Sequence, residues 1–197
     1  MQHNVAYYHL PYQLVLASGS PRRQELMKSL GLHFTVKPTH ADETFSQHLK
    51  AEEIPLFLAE KKADEYLFEN NDEVVLTADT IVWLNNTVLN KPENYNEAKE
   101  MLGLLSGNMH QVYTAVCIKS KKNKLLFHDS TKVYFKPLKN EEMDFYISNY
   151  PVYDKAGSYG VQDWLGYIGI EKIEGCFYNV MGLPIRKVHE NLLQFKA

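Results

Sequence analysis

The chain has 197 residues, of which 45% are hydrophobic and 23% charged, a composition typical of a globular protein and unlike that of a disordered one. Its formal net charge of -3 provides no overall positive field, which argues against binding to nucleic acid or to an anionic membrane. The two cysteines, Cys117 and Cys176, are too few for a disulfide framework, so a reducing cytoplasm is the expected compartment.

The first thirteen residues, MQHNVAYYHLPYQ, lack the basic start and the unbroken apolar stretch of a signal peptide. No segment approaches the roughly 20 apolar residues that a membrane helix needs. We therefore expect a soluble protein in which residues 1–12 are an N-terminal extension and residues 13–197 form a single domain.

The first half of the chain alternates between strand and helix patterns. A short apolar strand, Leu14–Ala17, precedes a helix that Ser20 can cap, with Pro21 at its first position and Gly31 at its end. The patterns that follow predict a strand over residues 33–37, a polar loop, a helix over residues 52–68 and a strongly β-branched strand over residues 73–84.

The second half begins with Asn85-Asn86, which predicts a tight hairpin turn because asparagine tolerates positive φ. Then follow a helix over residues 94–105, strands over residues 111–119 and 124–135, a helix capped by Asn140, a glycine-rich stretch over residues 157–175 and an amphipathic C-terminal helix with Val188, Leu192 and Leu193 on its apolar side. Hairpins among alternating strands and helices predict an α/β fold with a mixed sheet and flanking helices.

The segment Ser18-Gly19-Ser20-Pro21-Arg22-Arg23 has a pattern typical of a phosphate site. Two cations in the first turn of a helix have the wrong sign for the helix dipole, and an anion bound there would resolve the conflict. Free backbone N–H groups, two hydroxyls and two guanidinium groups could all contact such an anion. If the arginines bind an anion, removing either one should leave the stability of the free protein unchanged or slightly higher. The alternative is a capped helix with solvated arginines, and a loss of stability with unchanged nucleotide affinity would favour it.

Asp79 lies inside the apolar strand VVLTADTIVWL, where burying a charge is expensive. A carboxylate there either binds a metal ion or has a raised pKa suited to a general base. An aspartate that caps a turn at the end of the sheet is the structural alternative.

Other residues are weaker candidates for the site than Ser18–Arg23 and Asp79. Glu43, in an acidic loop, could supply a second carboxylate for a hard cation. Lys62 and Lys91 could neutralise phosphate charge, although most lysines are simply solvated. Lys155 and Gln162 lie in DKAGSYGVQ, a glycine-rich segment able to close over a ligand.

Together these segments resemble the Maf family of nucleotide pyrophosphatases from Leu14 to the C-terminal helix. LASGSPRRQELMKSLG resembles the opening signature of that family, and TADTIV its catalytic aspartate motif; ADETF, LAEKKA, NKP, LSGNMHQVYTAV, DKAGSYGVQ and YNVMGLP follow the same order. Asp163-Trp164 is a departure, because the family commonly has glycine after the position of Gln162.

The resemblance implies a Maf or ITPase-like fold with two lobes around a deep substrate cleft, homodimers, and a divalent cation, Mg²⁺ or Mn²⁺, held by Asp79 and Glu43. It marks Asp79 as the proton acceptor. It also points to Arg22, Thr80 and Gln162 as the positions that separate substrate classes. The remaining expected contacts to the nucleotide come from Ser18, Arg23, Lys62, Lys91 and Lys155.

Threonine after the catalytic aspartate resembles the subfamily that hydrolyses dTTP and UTP to the monophosphate and pyrophosphate. Two alternatives remain at this stage. One is a pyrophosphatase for 7-methyl-GTP or purine nucleotides, whose members usually have glutamine at the position of Thr80. The other is a nucleotide-binding regulator linked to septum formation, which would have no need of a buried Asp79.

Overall fold

The computed structural model describes residues 9–39 and 41–197, and within these the chain forms a mixed seven-stranded sheet flanked by helices. The predicted α/β class is confirmed. Most of the predicted N-terminal extension, residues 1–8, lies outside the described residues. The strands are β1 (Gln13–Leu16), β2 (Thr35–Val36), β3 (Glu73–Leu84), β4 (Thr87–Leu89), β5 (Met109–Lys119), β6 (Lys124–Phe135) and β7 (Ile170–Glu174). The helices are α1 (Pro21–Ser29), α2 (Glu53–Asp64), α3 (Tyr95–Leu105), α4 (Asn140–Asn149), α5 (Trp164–Gly169), α6 (Phe177–Val180) and α7 (Ile185–Gln194), with a 3₁₀ turn at Ala156–Ser158.

The strand order is β2-β1-β3-β5-β6-β7, with β4 also paired to β3. β1 runs parallel to β2 and β3, and the other pairs are antiparallel. On one edge of β3, β1 pairs with residues 73–76 and β4 with residues 82–84. Among the described residues no strand pairs with that edge between these two stretches, so a gap opens beside Ala78, Asp79 and Thr80.

Two apolar cores lie on one face of the sheet, at opposite ends of β3. Side chains alternate along a strand, so the even-numbered residues of β3 share this face. Val74, Leu76 and Ala78 pack with α1 and α7 at one end, and Val82 and Leu84 pack with α3 and α4 at the other. The two cores belong to two lobes, and Thr80 lies between them.

Helix α2 covers the opposite face, to which the odd-numbered residues of β3 point. The Thr77 hydroxyl donates to the Ala59 carbonyl over 2.6 Å, and Ile81 packs against Leu58. Asp79 lies between these two contacts and therefore faces α2. The alternation along β3 thus sends Asp79 and Thr80 to opposite sides of the strand at the gap.

Several local predictions are confirmed in detail. The Ser20 side chain accepts from the Arg23 N–H at the start of α1, and Pro21 occupies the first position. Asn85 and Asn86 have φ angles of 50° and 63°, as the predicted hairpin turn requires. Gly107, after α3, has a φ angle of 68°, in keeping with the predicted helix end.

Other predictions are wrong at their ends. The second strand is only two residues long, because it follows just Val15 and Leu16 of β1. Helix α2 stops at Asp64 rather than at Phe68, because Tyr66 and Phe68 turn back to pack with Val15 and Val75.

Further corrections concern the last third of the chain. Lys139, not Asn140, precedes the first turn of α4, and the Glu142 carboxylate accepts from the Lys139 N–H over 2.9 Å. Leu193 is 43% exposed, whereas Val188 and Leu192 are buried as predicted. The glycine-rich stretch after α4 contains α5 and β7, which the sequence did not predict, with Leu165 fully buried between α4 and the sheet.

Of the helices within residues 9–39 and 41–197, none is both long enough and apolar enough to cross a membrane.

Candidate active site

A cleft of about 730 Å³ opens at the gap beside β3, between the two lobes. One wall comes from the β1–α1 loop and the start of α1, the other from residues 154–162, and the floor from β3. All ten residues predicted to form the site line this cleft: Ser18, Arg22, Arg23, Glu43, Lys62, Asp79, Thr80, Lys91, Lys155 and Gln162.

Asp79 lies at the bottom of the cleft, with only 7% of its surface exposed. Its Oδ1 atom is 2.6 Å from Lys62 Nζ, and the same ammonium donates over 2.8 Å to Glu43 Oε1. Lys91 approaches Glu43 from the other side at 3.5 Å. Lys62 reaches Asp79 because α2 crosses the face of the sheet to which Asp79 points.

The two carboxyl groups have opposite pKa shifts. Burial raises the pKa of Asp79, and the charges of Lys62 and Arg23 offset that effect only in part. Burial also acts to raise the pKa of Glu43, but the hydrogen bond and charge of Lys62, with the charge of Lys91, outweigh it and the pKa is lowered. A carboxylate whose pKa is raised towards neutrality can accept a proton, whereas one whose pKa is lowered stays charged.

The residues present are compatible with a divalent cation. Carboxylate oxygens are the ligands that Mg²⁺ and Mn²⁺ prefer, and those of Asp79 and Glu43 already converge on one positive charge. The described part of the chain contains no cluster of three or more histidine, cysteine, aspartate or glutamate side chains suited to a metal. A cation held here would therefore need oxygens from substrate and water, as Mg²⁺ sites for nucleotides commonly do.

Arg23 is held by the protein itself. Its guanidinium group donates to the Ala78 carbonyl at 2.8 Å, the Gly182 carbonyl at 2.9 Å and the Thr80 hydroxyl at 3.0 Å. The Ala78 carbonyl belongs to the β3 edge that lacks a strand neighbour, so Arg23 takes the place of a ladder partner. The sequence indicated a charge conflict for both arginines at the start of α1 that a bound anion would resolve. For Arg23 the acceptors within the protein resolve it without an anion.

Arg22 bridges the two walls of the cleft. Its NH1 atom lies 2.6 Å from Asp154 Oδ2, and its NH2 atom donates to the Asp154 carbonyl over 3.2 Å. Sequence reasoning missed Asp154, although it directly precedes Lys155 in the segment already singled out. An Arg22 guanidinium that turned from Asp154 towards a bound phosphate would remain within the cleft.

Thr80 lies beneath Arg23. Its hydroxyl accepts from Arg23 and shares a hydrogen bond with Thr114 over 2.9 Å. Thr114 in turn donates to the Asn179 carbonyl, which ties α6 to the sheet. The Thr80 hydroxyl is thus already engaged by neighbouring protein groups.

Lys155 and Gln162 differ in how they face the cleft. Lys155 is 4% exposed, and its ammonium contacts the Pro151 carbonyl and, at 3.0 Å, Asp163 Oδ2. The ammonium is thus engaged within the wall rather than directed at a ligand. Gln162 Oε1 is a buried acceptor that has no hydrogen-bond partner within the described structure, and such an atom costs free energy unless a ligand donor reaches it.

Replacing Lys62 with methionine should move the acidic limb of the pH–rate profile to higher pH. Lys62 favours the charged form of Asp79, so its loss raises the pKa of that carboxyl group further. A base is active only when deprotonated, so activity should now be lost at a less acidic pH. The measurement is kcat/KM from pH 5 to 9, with Lys61→Met as the control because Lys61 pairs with the exposed Asp42 instead. An unshifted acidic limb would show that Asp79 is not the group that titrates.

Fold and site together define an α/β protein with a cleft between two lobes that is lined by arginines and lysines and has a buried carboxylate at its base. The model of one family, described as "Maf-like protein", matches residues 13–195. The chain belongs to the Maf family.

Curated relatives resemble the chain over nearly its whole length. A protein of Phocaeicola vulgatus named "dTTP/UTP pyrophosphatase" is 47% identical over 92% of this chain and 95% of its own. A protein of Flavobacterium johnsoniae with the same name is 47% identical over 92% of this chain and 94% of its own. Among solved structures, the Ham1 protein of Staphylococcus aureus is 15% identical, with a TM-score of 0.44 over 62% of this chain and 71% of that chain. The last similarity is too weak to bear on function.

Proposed function

We propose that this chain is a nucleoside triphosphate pyrophosphatase that hydrolyses dTTP and UTP to the nucleoside monophosphate and pyrophosphate. The observation that supports it most directly is Asp79, a buried carboxyl group of raised pKa at the bottom of a cleft lined by arginines and lysines. The relatives named "dTTP/UTP pyrophosphatase" support the choice of reaction and of nucleotide.

The reaction needs a water molecule activated in line with the bond between the α- and β-phosphates. In the proposed mechanism Asp79 takes a proton from that water, and the resulting hydroxide attacks the phosphorus while pyrophosphate leaves. The raised pKa makes Asp79 a better proton acceptor near neutral pH than an exposed aspartate would be. Lys62 stabilises its charged form until the proton arrives.

The triphosphate would lie against Ser18, Arg22, Arg23, Lys62 and Lys91. Charge on the phosphate oxygens increases or shifts as the bond breaks, and fixed cations stabilise it without reorganising. A divalent cation held by Asp79 and Glu43 would add Lewis-acid neutralisation of the phosphate oxygens. Binding of the triphosphate would also compete with Asp154 for the Arg22 guanidinium group.

The base would be recognised at the other wall of the cleft, by Gln162. Its unpartnered Oε1 atom can accept from the N3–H group of uracil or thymine, which lies between two carbonyl acceptors. Cytosine has no hydrogen on N3, so it would leave the buried acceptor unsatisfied. Thr80 would leave room that a longer glutamine would fill.

Three further proposals rest on the family resemblance and on composition. Residues 13–197 act as one domain, the protein is cytoplasmic, and it forms a homodimer.

Substrate profiling tests the proposal. The wild type should have its highest kcat/KM for dTTP and UTP, with CTP, GTP and 7-methyl-GTP clearly lower. Gln162→Glu removes the amide N–H donor that would pair with a carbonyl of the base, and Thr80→Gln fills the room that threonine leaves. Each should narrow the preference for dTTP and UTP by about tenfold or more, about the worth of one hydrogen bond in a buried site. Gln194→Glu and Thr87→Gln repeat both changes at exposed positions outside the cleft and should leave the ranking intact.

The outcomes separate the alternatives. A wild type that prefers a purine nucleotide would replace the pyrimidine assignment with the 7-methyl-GTP or purine reading. Tight nucleotide binding without turnover would favour the regulator. A pyrimidine preference that neither cleft variant alters would leave the reaction assigned but remove Thr80 and Gln162 from base recognition.

A further inference from the structure

Asp163, the residue after Gln162, places its carboxyl group in an unusual direction. It precedes the first turn of α5, where an aspartate normally accepts hydrogen bonds from the free N–H groups of its own helix, yet its side chain makes no such bond. Instead, Asp163 Oδ2 accepts from the Tyr146 hydroxyl over 2.8 Å and lies 3.0 Å from Lys155 Nζ. The carboxylate therefore binds side chains of the cleft wall and its surroundings rather than the N–H groups of α5.

These contacts converge on Gly160. The Tyr146 hydroxyl accepts from the Gly160 N–H over 3.1 Å, and the Asp163 N–H donates to the Gly160 carbonyl over 3.0 Å. A Cβ atom built on Gly160 would lie 2.6 Å from Asp163 Oδ2 and 3.1 Å from Gln162 Nε2. The Asp163 carboxylate and the Gln162 amide thus both lie against Gly160, where they leave no room for a side chain.

The charges make this arrangement depend on Asp163. The side chain of Lys155 is 4% exposed and that of Asp163 is 16% exposed. A buried ammonium without a counter-ion is strongly disfavoured, so Lys155 would leave its place if the carboxylate were neutral. Asp154, which holds Arg22, lies 3.6 Å from Lys155 Nζ and is the nearest alternative partner.

The protonation of Tyr146 fixes the direction of the hydrogen bonds. Burial, together with the neighbouring Asp163, raises the pKa of Tyr146 far above its usual range. The hydroxyl therefore keeps its proton, donates to Asp163 and accepts from Gly160 at the same time. A chain of contacts therefore runs from Lys155 through Asp163 and Tyr146 to the backbone of Gly160, next to which the Gln162 amide lies.

We infer that Asp163 is a positioning residue for base recognition, which holds the Gln162 amide in the cleft through Tyr146, Lys155 and Gly160. The inference rests on the proposed function and adds to it Asp163, the residue that keeps Gln162 in position to recognise the base. Asp163 contacts no part of the nucleotide. It acts only by keeping the acceptor of Gln162 where the base arrives.

Asp163→Asn tests the inference, since asparagine keeps the shape and removes the charge that Lys155 requires. KM for dTTP and UTP should rise about tenfold, and the preference over CTP should narrow by a similar factor, the worth of one hydrogen bond. The value of kcat should stay within about twofold, because Asp163 contacts neither Asp79 nor the side chains that would hold the phosphates. Inhibition by inorganic triphosphate, which has no base, should be unchanged.

Two further variants serve as a second test and as a control. One breaks the same chain of contacts at another residue, and the other removes a similar carboxylate outside the cleft. Tyr146→Phe removes the hydroxyl that links Asp163 to Gly160 and should change base ranking in the same direction. Asp144→Asn is the matched control, because Asp144 also pairs with a lysine and a tyrosine, Lys99 and Tyr95, but does not line the cleft. Thermal melting of each variant reports on folding.

The inference is overturned if Asp163→Asn and Tyr146→Phe keep the wild-type base ranking, or if Asp144→Asn alters it equally. It is also overturned if inorganic triphosphate inhibition weakens as much as dTTP binding, since the effect would then lie at the phosphate end. The wild type alone decides the proposed function. A wild type that prefers dTTP and UTP beside an unaltered Asp163→Asn would reject this inference and leave that function standing.

Discussion

Replacing Asp79 with asparagine is expected to lower kcat at least ~10²-fold, the lower end of the range for a general base, with little change in KM. Asparagine has the same shape but cannot accept the proton of the attacking water. Lys62 retains Glu43 as a partner, so the cations that would hold the triphosphate stay in place. The measurement is steady-state hydrolysis of dTTP, followed by pyrophosphate release.

The same variant should be no less stable than the wild type above neutral pH. The pKa of Asp79 is raised in the folded protein, so any stabilisation from this group belongs to its protonated form. That contribution is present below the unfolded pKa and is lost as pH rises through the folded pKa. Asparagine removes the buried charge, and its melting temperature relative to wild type should be highest at alkaline pH.

The control is Asp129→Asn on β6, because Asp129 also pairs with a lysine, Lys187, at 2.9 Å, but lies outside the cleft. It should keep full activity. An Asp79→Asn protein that retains more than about a tenth of wild-type kcat would exclude Asp79 as the base, since general bases contribute far more than that.

The strands and turns that the sequence predicted best are those whose signal is local. The β-branched run of β3 gave its bounds directly, and Asn85-Asn86 gave the hairpin to β4. The start of α1 followed from Ser20 and Pro21. Each of these features depends on residues within a few positions of one another, so the chain itself contains the information.

Residues 157–175 contain packing that the local sequence does not indicate. Gly157 has a φ angle of 67° and packs against Val82, whose side chain leaves a Cβ atom little room. Gly166 approaches the Val161 carbonyl so closely that an added Cβ atom would lie 2.1 Å from it. These glycines permit close packing, and only the tertiary structure shows which atoms approach them.

The sequence predicted which residues line the cleft but not the contacts that those residues make. All ten predicted residues line the cleft. Arg22, Arg23 and Asp79 were indicated by charges that conflict with their local surroundings, and Thr80 and Gln162 by the family resemblance. The partners of those residues come from distant segments, such as Asp154 for Arg22 and the Ala78 carbonyl for Arg23. A backbone carbonyl has no sequence signature, so the structural role of Arg23 could not be anticipated.

Because only Arg23 is held by buried protein acceptors, we expect its removal to lower the stability of the free protein and the removal of Arg22 to leave it nearly unchanged. Arg23→Ala leaves the Ala78 and Gly182 carbonyls and the Thr80 hydroxyl without their donor, at about 1–3 kcal/mol for an unsatisfied buried group. Its melting temperature should fall by roughly 4–8 °C, which corresponds to about 2 kcal/mol in a chain of this size. Arg22→Ala breaks only a partly solvated pair with Asp154 and should change stability by no more than about 0.5 kcal/mol.

Both variants should bind triphosphate more weakly, each by about 1.5–3 kcal/mol, the worth of a charge-assisted hydrogen bond. Thermal melting of the free proteins and calorimetric titration with a non-hydrolysable dTTP analogue measure the two effects separately. Arg186→Ala is the matched control, since Arg186 pairs with Glu190 on the exposed side of α7 and should alter neither quantity measurably. Equal melting temperatures for Arg22→Ala and Arg23→Ala would contradict the structural role of Arg23, because only Arg23 substitutes for a missing strand beside β3.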